Sequence, residues 1–185
     1  MEHRICGWVK QNDSQYVDYH NNEWGKAIHD DDELFELFSL ETQSSGLSWL
    51  TILKKRDGYR EVFENFTLEN VASYTQEDVT RIIESGLVIK SRPKIEAIIN
   101  NAKLFLKIKK EFGSLDNYFW SKVNHKTIIN DVIDYKMAHT TSKISDELAK
   151  DLKKRGFKFV GSVTIYAFMQ ASGMINDHEN GCWCK

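Results

Sequence analysis

Glu41 is the first residue in this chain whose type and place call for chemistry. Read as a helix from Asp31 to Ser45, at 100° per residue, the segment puts Leu34, Leu37 and Phe38 on one apolar stripe, with Glu41 in the middle of it. Acids are almost never buried unless paired, so an inward acid needs a cationic partner, a cationic ligand or exposure in a cleft. Gly46 ends this helix, and Trp49 follows at once.

A second constellation is split between the two ends of the chain. Cys6 and His20 lie near the start, and His178 and Cys182, at i, i+4 spacing, lie near the end. Two cysteines and two histidines form a possible zinc set, which would be closed and therefore structural. The alternative is a buried thiol at Cys6 with ordinary polar histidines. Cys184 competes for the place of Cys182, and His3 and His29 are further stand-ins.

Third come aromatic residues and basic helix ends. Trp8, Tyr16, Tyr19, Trp24 and Trp49 crowd the first part of the chain. Ser85 to Lys94 reads as a tight turn into a long helix, with Ser91 as its cap and Pro93 in its first turn, where N–H groups have no intrahelical partners. Lys90, Arg92 and Lys94 beside such N–H groups suit a phosphate. A basic solvated face and ordinary core aromatics are the simpler readings. Taken with Glu41, the set suits a pocket for a flat cationic ring beside a polyanion.

The elements that must position these residues read as helices throughout. The segment 1–29 reads as loops and short turns, and Asp30 to Glu33 as an N-cap with first-turn acids and nothing more. Further helices are expected at Leu47 to Arg56, stopped by Asp57-Gly58, at Tyr59 to Phe63, and from near Thr67. Others follow at Gln76 to Glu84, from Ser91 past Leu106, and at Leu115 to Val123. Ser142 to Arg155 and Ser162 to Ser172 complete the set. Asn124 to Thr141 is the least regular stretch, and nothing alternates at period two, so the expected class is all-α.

The totals fit one domain over residues 1–185, with two lobes allowed. Of 185 residues, 41% are hydrophobic and 28% charged, with one proline, so little of the chain reads as disordered. The net charge of −2 argues against indiscriminate polyanion binding while permitting a local basic face. No signal pattern and no membrane-length apolar run are present, so a soluble cytoplasmic protein is expected; three cysteines there suit thiols or metal ligands. Phosphate-loop, dinucleotide, metalloprotease-helix and nucleophile-elbow signatures are all missing.

Five separated motifs, in order, carry a resemblance. Cys6-Gly7-Trp8, Tyr19-His20-Asn21-Asn22-Glu23-Trp24-Gly25, Leu40-Glu41 with Gly46-Leu47-Ser48-Trp49, Lys153 to Gly161, and Asn176-Asp177-His178 through Cys182 resemble the 3-methyladenine DNA glycosylase I (Tag) family. The resemblance implies a helix-hairpin-helix glycosylase fold with structural Zn2+ on Cys6, His20, His178 and Cys182, tying segments 1–29 and 174–185 together. It also implies a base flipped from double-stranded DNA containing alkylated purines into a pocket lined by Trp8, Tyr16, Tyr19 and Trp49. Glu41 would bond that base, and the hairpin holding Gly86, Lys90 and Lys94 would grip the DNA backbone. The implied reaction is hydrolysis of the N-glycosidic bond of 3-methyladenine by a monomer that meets no membrane. Ser44-Ser45 stands where the family usually has Gln-Ala, which keeps a non-catalytic reader of alkylated DNA as the alternative. No aspartate is an evident support for the sugar cation; Asp116 has only roughly suitable placement.

Overall fold

The computed structural model describes residues 4–185, so His3 lies outside the described residues. Ten α-helices carry it: α1 Ser14–Asn22, α2 Asp31–Ser44, α3 Trp49–Leu53, α4 Arg56–Val62, α5 Leu68–Ser73, α6 Gln76–Ser85, α7 Arg92–Phe112, α8 Leu115–Trp120, α9 Lys143–Arg155 and α10 Ser162–Ala171. The mainly helical reading holds. Among the described residues no helix is long and apolar enough to cross a membrane.

The central element is α2. Every residue from Leu34 to Gln43 is buried, so the helix is enclosed all round and not along a single stripe. Phe38 shows why: its ring meets those of Phe105, Phe119, Phe157 and Phe168, drawing α7, α8, the α9–α10 turn and α10 onto one helix. Burying a phenylalanine contributes roughly 1.5–3 kcal/mol, and this one joins four segments at once.

Several local readings change in three dimensions. Segment 1–29 is not all loop: Asp13 caps α1 by accepting from Tyr16 N at 3.2 Å, and Tyr19 and His20 are buried from it. That helix is polar in composition, so it is held by its cap and its packing, which no period in its own sequence announces. The acidic run also does more than expected. Asp30 caps α2, but Asp31 Oδ1 accepts from Leu115 N at 2.8 Å and Asp32 Oδ1 from Leu68 N at 3.0 Å, so two acids of one helix cap the starts of α8 and α5.

The helix expected to end at Asp57-Gly58 stops earlier, at Leu53, and α4 runs straight through Gly58. Gly58 serves close approach here, not termination: a Cβ would sit 2.7 Å from the Leu87 carbonyl oxygen. Gly86 and Gly156 do end helices, closing α6 and α9 in the left-handed conformation at φ of 70° and 97°. Ser91 caps α7 by position only, without a side-chain bond. One short parallel pair was not expected: Ile128–Ile129 (β1) runs beside Ile175–Asn176 (β2) and anchors the irregular stretch to the C-terminal segment.

Candidate functional site

Two buried acids project from α2, and their surroundings separate them. Glu36 is 7% exposed and meets Arg56 Nε at 2.6 Å and Arg60 Nε at 2.9 Å. Arg56 also pairs with Glu23. Glu41 is 6% exposed and has no ion pair; Ser44 Oγ, 3.5 Å from Oε2, is its only side-chain neighbour at hydrogen-bonding range among the described residues. Desolvation accordingly pushes the Glu41 carboxyl up to about 8. Of the options open to an inward acid, Glu36 takes the cationic partner and Glu41 faces a cavity.

That cavity is about 380 Å³ in volume. Trp8, Tyr16, Tyr19, Glu41 and Trp49 all line it, so five residues spread from position 8 to position 49 converge. Trp8 stands edge-on to Tyr16 at 5.2 Å and to Trp24 at 5.0 Å, while Tyr19 and Trp49 meet at 5.3 Å. Burial pushes both phenols up, and the charge of Glu41 adds to that shift, so Tyr16 and Tyr19 stay protonated donors. Trp49 Nε1 is buried in this wall without a partner. Ser44 donates mainly to the Glu41 carbonyl, at 2.8 Å, and so closes the end of α2.

Sequence reasoning missed the opposite wall. Tyr166 and Gln170 of α10, Asp177 after β2, and Tyr135, Ala138, His139 and Thr140 of the irregular stretch also line the cavity. A single signal was available for part of this: Tyr166 and Gln170 are four apart on one helix face. Asp116, weighed as a support for a sugar cation, is elsewhere, bonded at 2.6 Å to His29.

Behind the aromatic wall, the ligand atoms of Cys6, His20, His178 and Cys182 all lie within 4.8 Å of one another, and all four residues are buried. Cys6 Sγ to His178 Nδ1 is 3.4 Å, Cys182 Sγ to His20 Nε2 is 3.5 Å, and Cys182 Sγ to His178 Nδ1 is 3.6 Å. Tetrahedral zinc, with bonds of roughly 2.3 Å to sulfur and 2.0–2.1 Å to nitrogen, requires S···N separations of about 3.6 Å. Each imidazole also bonds an acceptor through its other nitrogen: His20 Nδ1 to Asn21 Oδ1 at 2.7 Å, and His178 Nε2 to the Trp24 carbonyl at 3.1 Å. Those bonds fix the tautomers that a metal needs. Burial pushes the Cys6 thiol up to about 12 and His178 down to about 4, so the imidazole is neutral, and a thiolate at Cys6 would need a cation beside it. The residues fit zinc. Cys184 and His29 are outside this cluster.

The basic turn is less free than its sequence suggests. Lys94 Nζ donates to the carbonyls of Gln43 and Ser45, at 2.8 and 2.7 Å, and so ties α7 to the end of α2 beneath Glu41. Arg92 is turned toward Gln76, Thr80 and Glu96. Gly86 and Lys90 remain at the turn, with Lys90 in no ion pair among the described residues. A second helix-turn-helix, α9 to α10, has glycine at both ends of its turn, Gly156 and Gly161, and no side chain caps α10. Lys158 is exposed in that turn, and Val163 of the first turn of α10 lines the cavity.

The chain matches the methyladenine glycosylase family over residues 8–185. A protein of Haemophilus influenzae named DNA-3-methyladenine glycosylase is 46% identical over 180 residues, covering 97% of both chains. DNA-3-methyladenine glycosylase 1 of Escherichia coli is 45% identical over 179 residues, or 97% of this chain and 95% of that one. A crystal structure of 3-methyladenine DNA glycosylase I superposes with a TM-score of 0.94 at 44% identity, covering 98% and 99% of the two chains. The Staphylococcus aureus enzyme, solved to explain 3-methyladenine recognition, gives 0.92 at 39% identity over 95% and 93%.

Proposed function

This chain belongs to the methyladenine glycosylase family, and from that membership and the cavity we propose that it excises 3-methyladenine from alkylated DNA by hydrolysing the N-glycosidic bond. The observation that carries the proposal is Glu41, an acid with no ion pair among the described residues, facing a cavity walled by aromatic rings.

Methylation at N3 makes the nucleoside base a cation, so it leaves without further protonation. The protein then has to open the pair, hold the base and admit water. Stacking a cation on aromatic faces contributes about 0.5–2 kcal/mol per contact, against an unpairing cost of a few kcal/mol, which damage already lowers. Trp8, Tyr16, Tyr19 and Trp49 supply the faces. Glu41 is held largely protonated by burial at neutral pH; a cationic base beside it offsets that desolvation and draws out the carboxylate. Among the described residues no lysine lines the cavity, which suits water as the nucleophile and an abasic product without strand cleavage.

Cys6, His20, His178 and Cys182 would hold zinc in a closed, structural set. Bound there, the ion supplies folding free energy and keeps Trp8 and Trp24 in place, since both rings contact the ligand histidines. The substrate is double-stranded DNA, and a monomer acting in the cytoplasm suffices. The phosphate backbone is gripped at helix starts beside the cavity, with Lys90 and Gly86 at one turn and Lys158 with the uncapped α10 at the other. Chromatography of bases released from methylated duplex DNA tests the reading: free 3-methyladenine with a matching count of abasic sites supports turnover. Binding without release would leave a reader of alkylated DNA.

A further inference from the structure

We propose that Gln170 is a specificity-determining contact, its side-chain carbonyl accepting a hydrogen bond from the exocyclic amine of the flipped base, and that Asp177 fixes it in that role. This rests on the base-excision reading above. Gln170 lies near the end of α10 and lines the cavity. Its Nε2 donates to Asp177 Oδ2 at 2.7 Å. The same carboxylate, 4% exposed, also accepts from Tyr166 OH at 2.8 Å and from Asn130 Nδ2 at 2.7 Å.

A glutamine amide normally can turn over and offer either end. Here turning it would set an amide oxygen against a buried carboxylate oxygen at contact distance, so only one orientation is available. The other end, Oε1, has no hydrogen-bond partner among the described residues, and Gln170 is only half-buried. Oε1 is thus the unpaired end of a side chain that lines the cavity. Because the network joins α10, the segment after β1 and the residue after β2, this acceptor is rigid.

An acceptor that cannot become a donor sorts purines by the group at position 6. A 6-amino purine carries two N–H groups there, and the acceptors lining the cavity include the Glu41 carboxylate and Gln170 Oε1. A 6-oxo purine places an oxygen against them. Sites that leave buried polar groups facing without a bond reject strongly, whereas apolar pockets discriminate weakly.

The test uses duplex DNA alkylated to contain both 3-methyladenine and 3-methylguanine, with the two released bases quantified together for the wild type, Gln170→Met and Asp177→Asn. In Gln170→Met, which keeps length and loses the acceptor, kcat/KM for 3-methyladenine should fall about tenfold while that for 3-methylguanine holds or rises. Asp177→Asn, which frees the amide to turn, should narrow the same ratio. Thermal melting and zinc content establish that each variant is folded, and either folded variant decides the matter. An equal fall for both bases, or no change in the ratio, overturns the proposal. A wild type that releases neither base overturns the underlying reading instead.

Discussion

His178 Nε2 lies 3.1 Å from the carbonyl oxygen of Trp24, and its imidazole stands edge-on to the Trp24 indole at 4.6 Å. One face of that histidine thus belongs to the Cys/His cluster and the other to the aromatic cage. Whatever holds the cluster together also holds the wall of the cavity.

Zinc should therefore be measurable and consequential. Elemental analysis of the purified protein is expected to give close to one zinc per chain. Cys6→Ser, or a strong chelator, should remove it and lower Tm sharply, since structural zinc contributes on the order of 10 kcal/mol. Tryptophan fluorescence should change together with metal loss, because Trp8 and Trp24 rest on the ligand histidines. A metal-free protein with unchanged Tm would dispose of the assignment.

Glu41 should weaken the ligand-free protein as pH rises. Its folded pKa, about 8, is above the unfolded carboxylate value, so between roughly pH 4.5 and 8 the folded state binds the extra proton. Stability from this group is present below the unfolded pKa and declines as pH rises through the folded one. Glu41→Gln should match the wild type in unfolding free energy near pH 5 and exceed it near pH 9, by an amount of the order of a few kcal/mol, with Tm following. Parallel Tm profiles for the two proteins would show that Glu41 is not desolvated as described.

Excision should run the other way with pH. A cationic base favours ionised Glu41, and below about 8 a growing fraction of free enzyme carries the proton. kcat/KM is expected to rise from pH 6 toward pH 8 and then level off. Glu41→Gln should lose that limb together with most of its activity, on the order of a hundredfold for a charge-assisted contact. Wild-type rates for the variant would remove Glu41 from base recognition.

Lysines at the two turns should behave differently. Lys158→Ala is expected to weaken duplex binding evenly across sequences and to reduce the salt slope by about one unit. Lys94→Ala should leave the slope nearly intact, because its ammonium is spent on Gln43 and Ser45 carbonyls; it should instead lower Tm and raise KM by loosening the end of α2. Salt-dependent binding isotherms distinguish these outcomes. A full unit lost from the slope in Lys94→Ala would mean that its ammonium reaches phosphate and is not spent on the Gln43 and Ser45 carbonyls.

Gly58→Ala should cost about 1–3 kcal/mol in urea unfolding, since the added methyl would meet the Leu87 carbonyl at 2.7 Å. Gly58 sits inside α4, where alanine is otherwise the better helix former. A stabilised variant would show that α4 and the Leu87 turn can separate freely.

Much of the molecule was legible from local pattern. Periodicity located most helices from α2 onward, because amphipathic stripes and caps are encoded within a few residues of each other. The inward acid at Glu41 followed from the same stripe, and the donor chemistry of Cys6, His20, His178 and Cys182 gave a possible metal set. The segment before α2 was less legible, since α1 depends on burial of Tyr19 against Trp49 and of His20 against His178 and Cys182. Gly58 was misread for the same reason: a glycine that ends a helix and one that admits a neighbouring backbone look identical in sequence.

The sequence alone thus determined which side chains could do chemistry, because residue type and helical period are local properties. Tertiary structure decided which of them meet. Glu36 and Glu41 are both buried acids of one helix, yet only packing gives the first two guanidiniums and the second an open cavity. Nothing local says that Asp177 and Gln170 will bond until β2 and α10 bring them to one wall. Desolvation, ion pairing and amide orientation all depend on distances between residues far apart in the chain, and those distances are fixed only when the chain has folded.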